Sequence, residues 1–184
     1  MKLFEERNCL VQLWQPLDKR YPSCDYFIGN GGIIRFSDGS VHLITAAHNV
    51  FAGDIQRRLR ITGGVNLFGD QIHFRRVSGR DLAEMPLKSY QAIRVLSIDQ
   101  ASTPLIIRGR FSRQTPFKIL INPITNNGHD FDYLVVNQEQ FIGPGYSGSL
   151  IFDRNRFGVV GVVTRAELNV NRLAQKGRAE ILSF

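Results

Sequence analysis

Cysteine is nearly absent. The 184 residues hold only Cys9 and Cys24, and two cysteines cannot build the multi-bridge framework that staples small secreted domains. They read as free or buried thiols in a reducing compartment. Long apolar runs are missing too: no segment approaches the ~18 residues of a membrane-spanning helix. The opening Met-Lys-Leu-Phe-Glu-Glu-Arg puts acids where a secretory leader needs its apolar stretch. A soluble, cytoplasmic protein without a membrane partner is expected. The four histidines show no ligand spacing, so neither a metal nor another cofactor is expected. Helical periodicity is weak throughout, with short helical turns conceivable only at 46–52 and 168–175.

What is present is apolar and turn-rich. Apolar residues make up 43% of the chain, and 17 glycines are scattered among them. β-Branched residues and phenylalanine separated by glycine suit short strands joined by tight turns. Strand-like runs fall at 9–14, 31–36, 41–46, 59–62, 72–77, 81–87, 93–98, 105–107, 117–121, 133–136, 150–152, 157–164 and 178–182. Asp38-Gly39 between two of them is a hairpin signal, because the turn requires positive φ. Such spacing predicts a β-sandwich or barrel. The length fits one ordinary domain or two very small ones sharing a core, and residues 86–91 are the most plausible passage between two halves.

Basic residues outnumber acidic ones, 23 against 16, for a net charge of +7. Arginines cluster as Arg57, Arg58 and Arg60, as Arg75, Arg76 and Arg80, and as Arg108, Arg110 and Arg113. A nucleic-acid partner would suit that charge. A solvated basic face explains it as well, and no zinc-finger spacing, aromatic-basic motif or long basic helix favours the nucleic acid.

Two segments carry chemistry. In Leu43-Ile44-Thr45-Ala46-Ala47-His48 a β-run ends in two alanines, small enough for another chain to pack against the strand end beside the imidazole. In Gly143-Pro144-Gly145-Tyr146-Ser147-Gly148-Ser149 a serine sits between glycines ahead of an apolar strand. Glycine there lets the backbone turn its N–H groups into one concavity, where they can hold an oxyanion. A serine hydroxyl needs a base within hydrogen-bond reach, and that base needs a third group to fix its tautomer. Histidine, then serine about 100 residues later, fits such a pair. The acids between them are Asp54, Asp70, Asp81, Asp99, Asp130 and Asp132. Asp54 follows the histidine too closely, Asp70 sits in a Gly-Asp turn, and Asp130 and Asp132 lie in a polar loop. Asp81 and Asp99 remain, and Asp81 has the plainer alternative of a surface acid paired with Arg80 or Lys88.

Thr45-Ala46-Ala47-His48 with Gly145-Tyr146-Ser147-Gly148 resembles the trypsin/chymotrypsin clan of serine proteases. The short spacing is most similar to its compact members, the Deg (high-temperature-requirement) and viral chymotrypsin-like proteases. Gly29-Asn30-Gly31-Gly32-Ile33-Ile34 resembles the entry to the histidine strand in the Deg type. Gly158-Val159-Val160-Gly161-Val162-Val163-Thr164 resembles the strand bordering the substrate cleft. The resemblance covers residues 9–182 and implies an all-β fold of two packed six-stranded antiparallel barrels with little helix. It implies one protease domain, with residues 1–88 carrying His48 and Asp81 and residues 89–184 carrying Ser147 and the specificity pocket. Asp81-Leu82-Ala83 resembles the segment that holds the acid, which selects Asp81 over Asp99.

By the same resemblance, Ser147 is the nucleophile, His48 the base and Asp81 its orienting acid. Gly145 and Ser147 supply the oxyanion N–H groups, and Thr164 supports the acid. Phe141 and Ile142 form one wall of the primary pocket, and Thr164, Arg165 and Ala166 the other. Phe141 stands where trypsin-like enzymes place an acid, so the pocket implies small or medium apolar residues before the cut, with Arg165 able to favour an acidic group. Tyr146 replaces the aspartate that binds a freed amino terminus in the digestive enzymes, so activation by propeptide cleavage is not implied. A regulatory partner ordering the loop 138–146 is the alternative. Two rival readings remain: a non-catalytic binding module on the same fold, and a basic nucleic-acid-binding barrel.

Overall fold

β-Branched runs interrupted by turn formers become strands in this computed structural model, which describes residues 6–17, 25–88, 90–110, 116–155, 158–166 and 174–183. The first half contains β1 (Leu10–Gln15), β2 (Tyr26–Arg35), β3 (Val41–Ala46), α1 (Ala47–Val50), β4 (Phe51–Ala52) and β5 (Ile55–Gln56). It continues with β6 (Arg60–Gly63), β7 (Leu67–Phe68), β8 (Arg75–Arg76), β9 (Leu82–Leu87) and β10 (Ile93–Arg94). The second half contains β11 (Leu105–Arg110), β12 (Pro116–Asn126), β13 (Asp130–Val135), β14 (Leu150–Phe152), β15 (Val159–Ala166) and β16 (Lys176–Ile181). No helix among the described residues is long and apolar enough to cross a membrane.

Strands β11-β12-β13-β16-β15-β14 close into a six-stranded antiparallel barrel. The first half is ordered β7-β6-β1-β2-β3-β9-β8, with β10 added in parallel to β2. The all-β double-barrel architecture therefore holds, with one refinement: the first unit is a curled eight-stranded sheet. Its edge strands β7 and β8 are two residues long, too short to close the ladder. The chain after β9 returns to β2 as β10 before Val95 bridges to Val159 of the barrel.

Several strands differ from their expected bounds for local reasons. β2 starts at Tyr26 and includes the whole Gly29-Asn30-Gly31-Gly32 run, because β1 pairs along it from Gln15 back to Leu10. The run at 72–77 shortens to Arg75–Arg76 because a 3-10 turn at Gly69–Gln71 takes the Ile72 N–H. The run at 93–98 stops at Arg94 because the Ser97 side chain caps a 3-10 turn over Ile98–Gln100. The helical turn at 46–52 forms as α1. The one expected at 168–175 falls mostly outside the described residues, as do Cys24 and Arg113. Cys9 is buried.

One apolar cluster fills the second barrel around Phe131, Tyr133 and Ile151. The other spans both halves, joining Ile33, Leu43 and Ile61 of the sheet to Leu150, Phe152 and Val162 of the barrel. Where the halves meet, backbones approach too closely for side chains. A Cβ on Gly29 would lie 2.6 Å from the Ser147 carbonyl oxygen, and one on Gly148 would overlap the Asn30 carbonyl oxygen and the Thr45 hydroxyl. Gly148 also has φ +88°, as does the hairpin residue Gly39, where a Cβ would meet nothing. The two positions therefore separate strain from crowding. Gly39→Ala should cost about 1–2 kcal/mol from left-handed backbone alone. Gly148→Ala should cost at least about 2 kcal/mol more, measured by urea unfolding at constant slope.

Candidate active site

The register of β3 against β9 sets the first part of the site. Ala46 pairs with Leu82, so the residues just beyond the ladder, Ala47 and Asp81, fall opposite each other. The Ala47 N–H donates to the Asp81 carbonyl oxygen at 3.1 Å, and the His48 N–H donates to Asp81 Oδ1 at 3.1 Å. Asp81 thus caps the first turn of α1 from the neighbouring strand, supplying an acceptor that the helix start lacks. Its other oxygen, Oδ2, lies 2.7 Å from His48 Nδ1. A carboxylate only accepts, so Nδ1 carries the proton and Nε2 is free to accept. Ser147 Oγ lies 2.5 Å from that Nε2.

Ser147 reaches this position because its own carbonyl is held. It accepts from the Asn30 N–H at 3.0 Å and from Asn49 Nδ2 at 2.9 Å. Asn49 directly follows His48, so the donor that fixes the serine is covalently tied to the histidine. The fully buried Asn30 also binds the loop before the serine: its Nδ2 donates to Gly145 O at 2.9 Å and to Arg110 O at 3.0 Å, and its Oδ1 accepts from Arg110 N at 2.8 Å. On the far side, the Gly148 N–H donates to Val163 O at 2.7 Å, and the Val163 N–H donates to Ser149 O at 2.9 Å. Gly145 has φ +91°. Among the described residues, neither its N–H nor that of Ser147 donates to the protein.

No family model matches the sequence, and no curated protein is a significant sequence match. The likeness lies in structure. A protease of M. tuberculosis in its active form matches with a TM-score of 0.60 at 16% identity, over 96% of this chain and 77% of that one. A serine protease of a human pathogenic astrovirus matches with a TM-score of 0.58 at 17% identity, over 98% and 93%. A catalytically inactive tobacco etch virus protease complexed with substrate matches with a TM-score of 0.60 at 10% identity, over 96% and 78%. The fold is that of the chymotrypsin-like serine proteases.

In this frame, the expected pocket residues divide. Ile142, Thr164, Arg165 and Ala166 line a cleft of about 550 Å³ together with His48, Gly145 and Ser147. Phe141 does not line it and is 38% exposed. Ile142 pairs with Ala174 as an extended bridge, and in extended backbone adjacent side chains point to opposite faces. Thr164 is buried but does not bond to Asp81; its hydroxyl donates to Arg178 O at 3.3 Å. Tyr146 packs its ring on Phe117 with centroids 4.4 Å apart, and burial raises its phenol pKa. The loop is thus anchored by a tilted ring contact at the position where digestive enzymes use an ion pair.

The acid is supported by residues with no local signal in the sequence. Glu180 Oε1 accepts from the Asp81 N–H at 3.3 Å, and Oε2 forms an ion pair with Arg80 Nε. Arg80 also donates to the carbonyl oxygens of Ile181 and His129. Arg80 therefore pairs with Glu180. His129 Nδ1 lies 3.2 Å from Glu180, and His129, Asp130 and Glu180 bring donor atoms within 4.8 Å of one another. The guanidinium already occupying Glu180 opposes a metal cation there. The Arg80 and Glu180 side chains are only 10% and 6% exposed. Glu180→Ala removes the carboxylate that this largely buried guanidinium faces and should destabilise the protein by about 3–5 kcal/mol. Glu180→Gln, which keeps an acceptor for Asp81, should cost less, as read from urea midpoints.

Proposed function

We propose that the protein is a serine endopeptidase acting through Ser147, His48 and Asp81. The observation that carries this reading is the unbroken chain of hydrogen bonds from Asp81 through His48 to Ser147, set beside two N–H groups without protein acceptors. His48 Nε2 takes the proton of Ser147 as Oγ attacks the peptide carbonyl carbon. The N–H groups of Gly145 and Ser147 hold the resulting oxyanion. The imidazolium, stabilised by Asp81, gives its proton to the leaving amine. Water then attacks the acyl-enzyme, with His48 again as base, and releases the acid product.

A peptide is the natural occupant of the cleft, and one structural neighbour was solved with its substrate. Ile142, Val163 and Ala166 favour small or medium apolar side chains before the cut. We read the chain as one protease domain, with residues 1–88 supplying His48 and Asp81 and residues 89–184 supplying Ser147 and the pocket. A regulatory partner remains compatible with the site, but the contacts of Asn30 and Tyr146 support an oxyanion turn formed by the chain's own packing. A non-catalytic module would not need the serine hydroxyl and imidazole at hydrogen-bond distance.

A fluorophosphonate probe tests the assignment directly. Wild-type protein should label on Ser147, and both Ser147→Ala and His48→Ala should lose labelling. Peptidase activity in Asp81→Asn should fall by about 10⁴-fold in kcat through the wrong imidazole tautomer. Absence of labelling in the wild type, or its persistence in Ser147→Ala, would remove the proposal.

A further inference from the structure

The arginine-rich segment after α1 distributes its cations unequally. Arg60 Nε pairs with Asp25 at 2.6 Å and stacks over Phe68, and Arg58 lies over the same ring at 5.3 Å. Arg75 pairs with Glu84, and Arg76 donates to Gly53 O while covering Phe51. Arg57 is different. It lines the cleft that holds Ser147, and its Nε is buried without an acceptor. Among the described residues it forms no ion pair. A buried donor without a partner is uncommon in a native structure and marks a group whose partner comes from elsewhere.

The backbone presents Arg57 firmly. Its N–H donates to Val50 O at 2.8 Å. The preceding Gln56 is fixed at both ends of its amide, donating to Ile72 O at 2.8 Å and accepting from Phe74 N at 2.7 Å. Among the described residues, the cleft lining contains two guanidinium groups, those of Arg57 and Arg165, and no carboxylate. Arg165 belongs to β15, beside Thr164 and the pocket. At the end of the cleft supplied by the first half, Arg57 is joined by His48, Asn49, Gln15 of β1 and Tyr26 and Ile28 of β2. His48 must deliver its proton to the leaving amine, so the leaving segment runs past the imidazole over this end.

We infer that Arg57 is a specificity-determining residue that binds an acidic side chain of the substrate on the leaving-group side of the scissile bond. The inference rests on the endopeptidase reading above and adds its substrate class: peptides with Glu or Asp shortly after the cut. A guanidinium offers a carboxylate two parallel N–H donors, a match that an amide does not reproduce.

The test uses internally quenched peptides varied at the three positions after the cleaved bond. Wild-type protein should prefer Glu or Asp over Gln or Asn by about 10-fold in kcat/KM at one of these positions. Arg57→Gln should flatten that ratio, and Arg57→Glu should shift it towards Lys and Arg. If the wild type labels with fluorophosphonate at Ser147 but cleaves the acidic and amide peptides equally, this inference fails and the endopeptidase reading stands. If it neither labels nor cleaves, both fail. A wild-type ratio near one overturns the inference even where a variant does not fold.

Discussion

The carbonyl group of Ser147 is the point on which the two halves of the molecule depend. It accepts from the Asn30 backbone and the Asn49 side chain, and both donors belong to the first half, on β2 and α1, while the serine belongs to the loop feeding the second barrel. Each hydrogen bond contributes only about 0.5–1.5 kcal/mol net to stability. Their greater consequence is geometric. Asn49 is adjacent to His48, so fixing the serine carbonyl to Asn49 fixes the serine hydroxyl relative to the imidazole. The glycines around this contact follow from it, since Gly29 and Gly148 sit where a Cβ would collide with the very groups that make the bonds.

The acid side of the site depends on a second contact between the halves. Asp81 sits at the end of a ladder, where backbone N–H groups lose their strand partners. Glu180 on β16 accepts the Asp81 N–H, and Arg80 neutralises Glu180 while tying itself to two carbonyls of the barrel. The imidazole is therefore held between two clamps, one through Ser147 and one through Asp81, each with one end in either half. The pair it forms with the acid is partly exposed: the His48 and Asp81 side chains are 49% and 33% accessible. At such exposure the ion pair itself adds little stability, so the geometry has to come from these buried neighbours.

How much of this could be read in the sequence follows from the range of each interaction. His48 and Ser147 were legible because strand ends and glycine turns are local. Asp81 was legible once a resemblance supplied the register, because Ala46 and Leu82 must pair for the acid to face the helix start. The double-barrel fold followed from strand spacing and that same resemblance, while the open edge of the first sheet depended on a turn at Gly69 that shortens β8 and β7. Asn30 stood inside a recognised glycine run, but nothing in the run reveals that its amide meets Arg110 and Gly145. Arg80 and Glu180 are about 100 residues apart, with no local pattern to join them. Phe141 was named with Ile142 from its place along the chain, and only Ile142 lines the cleft, because position in the chain does not fix where a side chain points.

The loop before Ser147 shows how a different chemistry can meet the same structural demand. In the digestive relatives of this fold, an aspartate before the serine receives an ion pair from a new amino terminus, and the sequence places Tyr146 there instead. A phenol cannot make that pair, and burial raises its pKa, keeping it neutral. A tilted contact with Phe117 anchors the ring in the second barrel, and the Asn30 amide anchors the Gly145 carbonyl from the first sheet. Held at both residues, the peptide groups around Gly145 leave their neighbouring N–H groups without protein acceptors. Both of these anchors, an aromatic contact and an amide-to-carbonyl hydrogen bond, are uncharged.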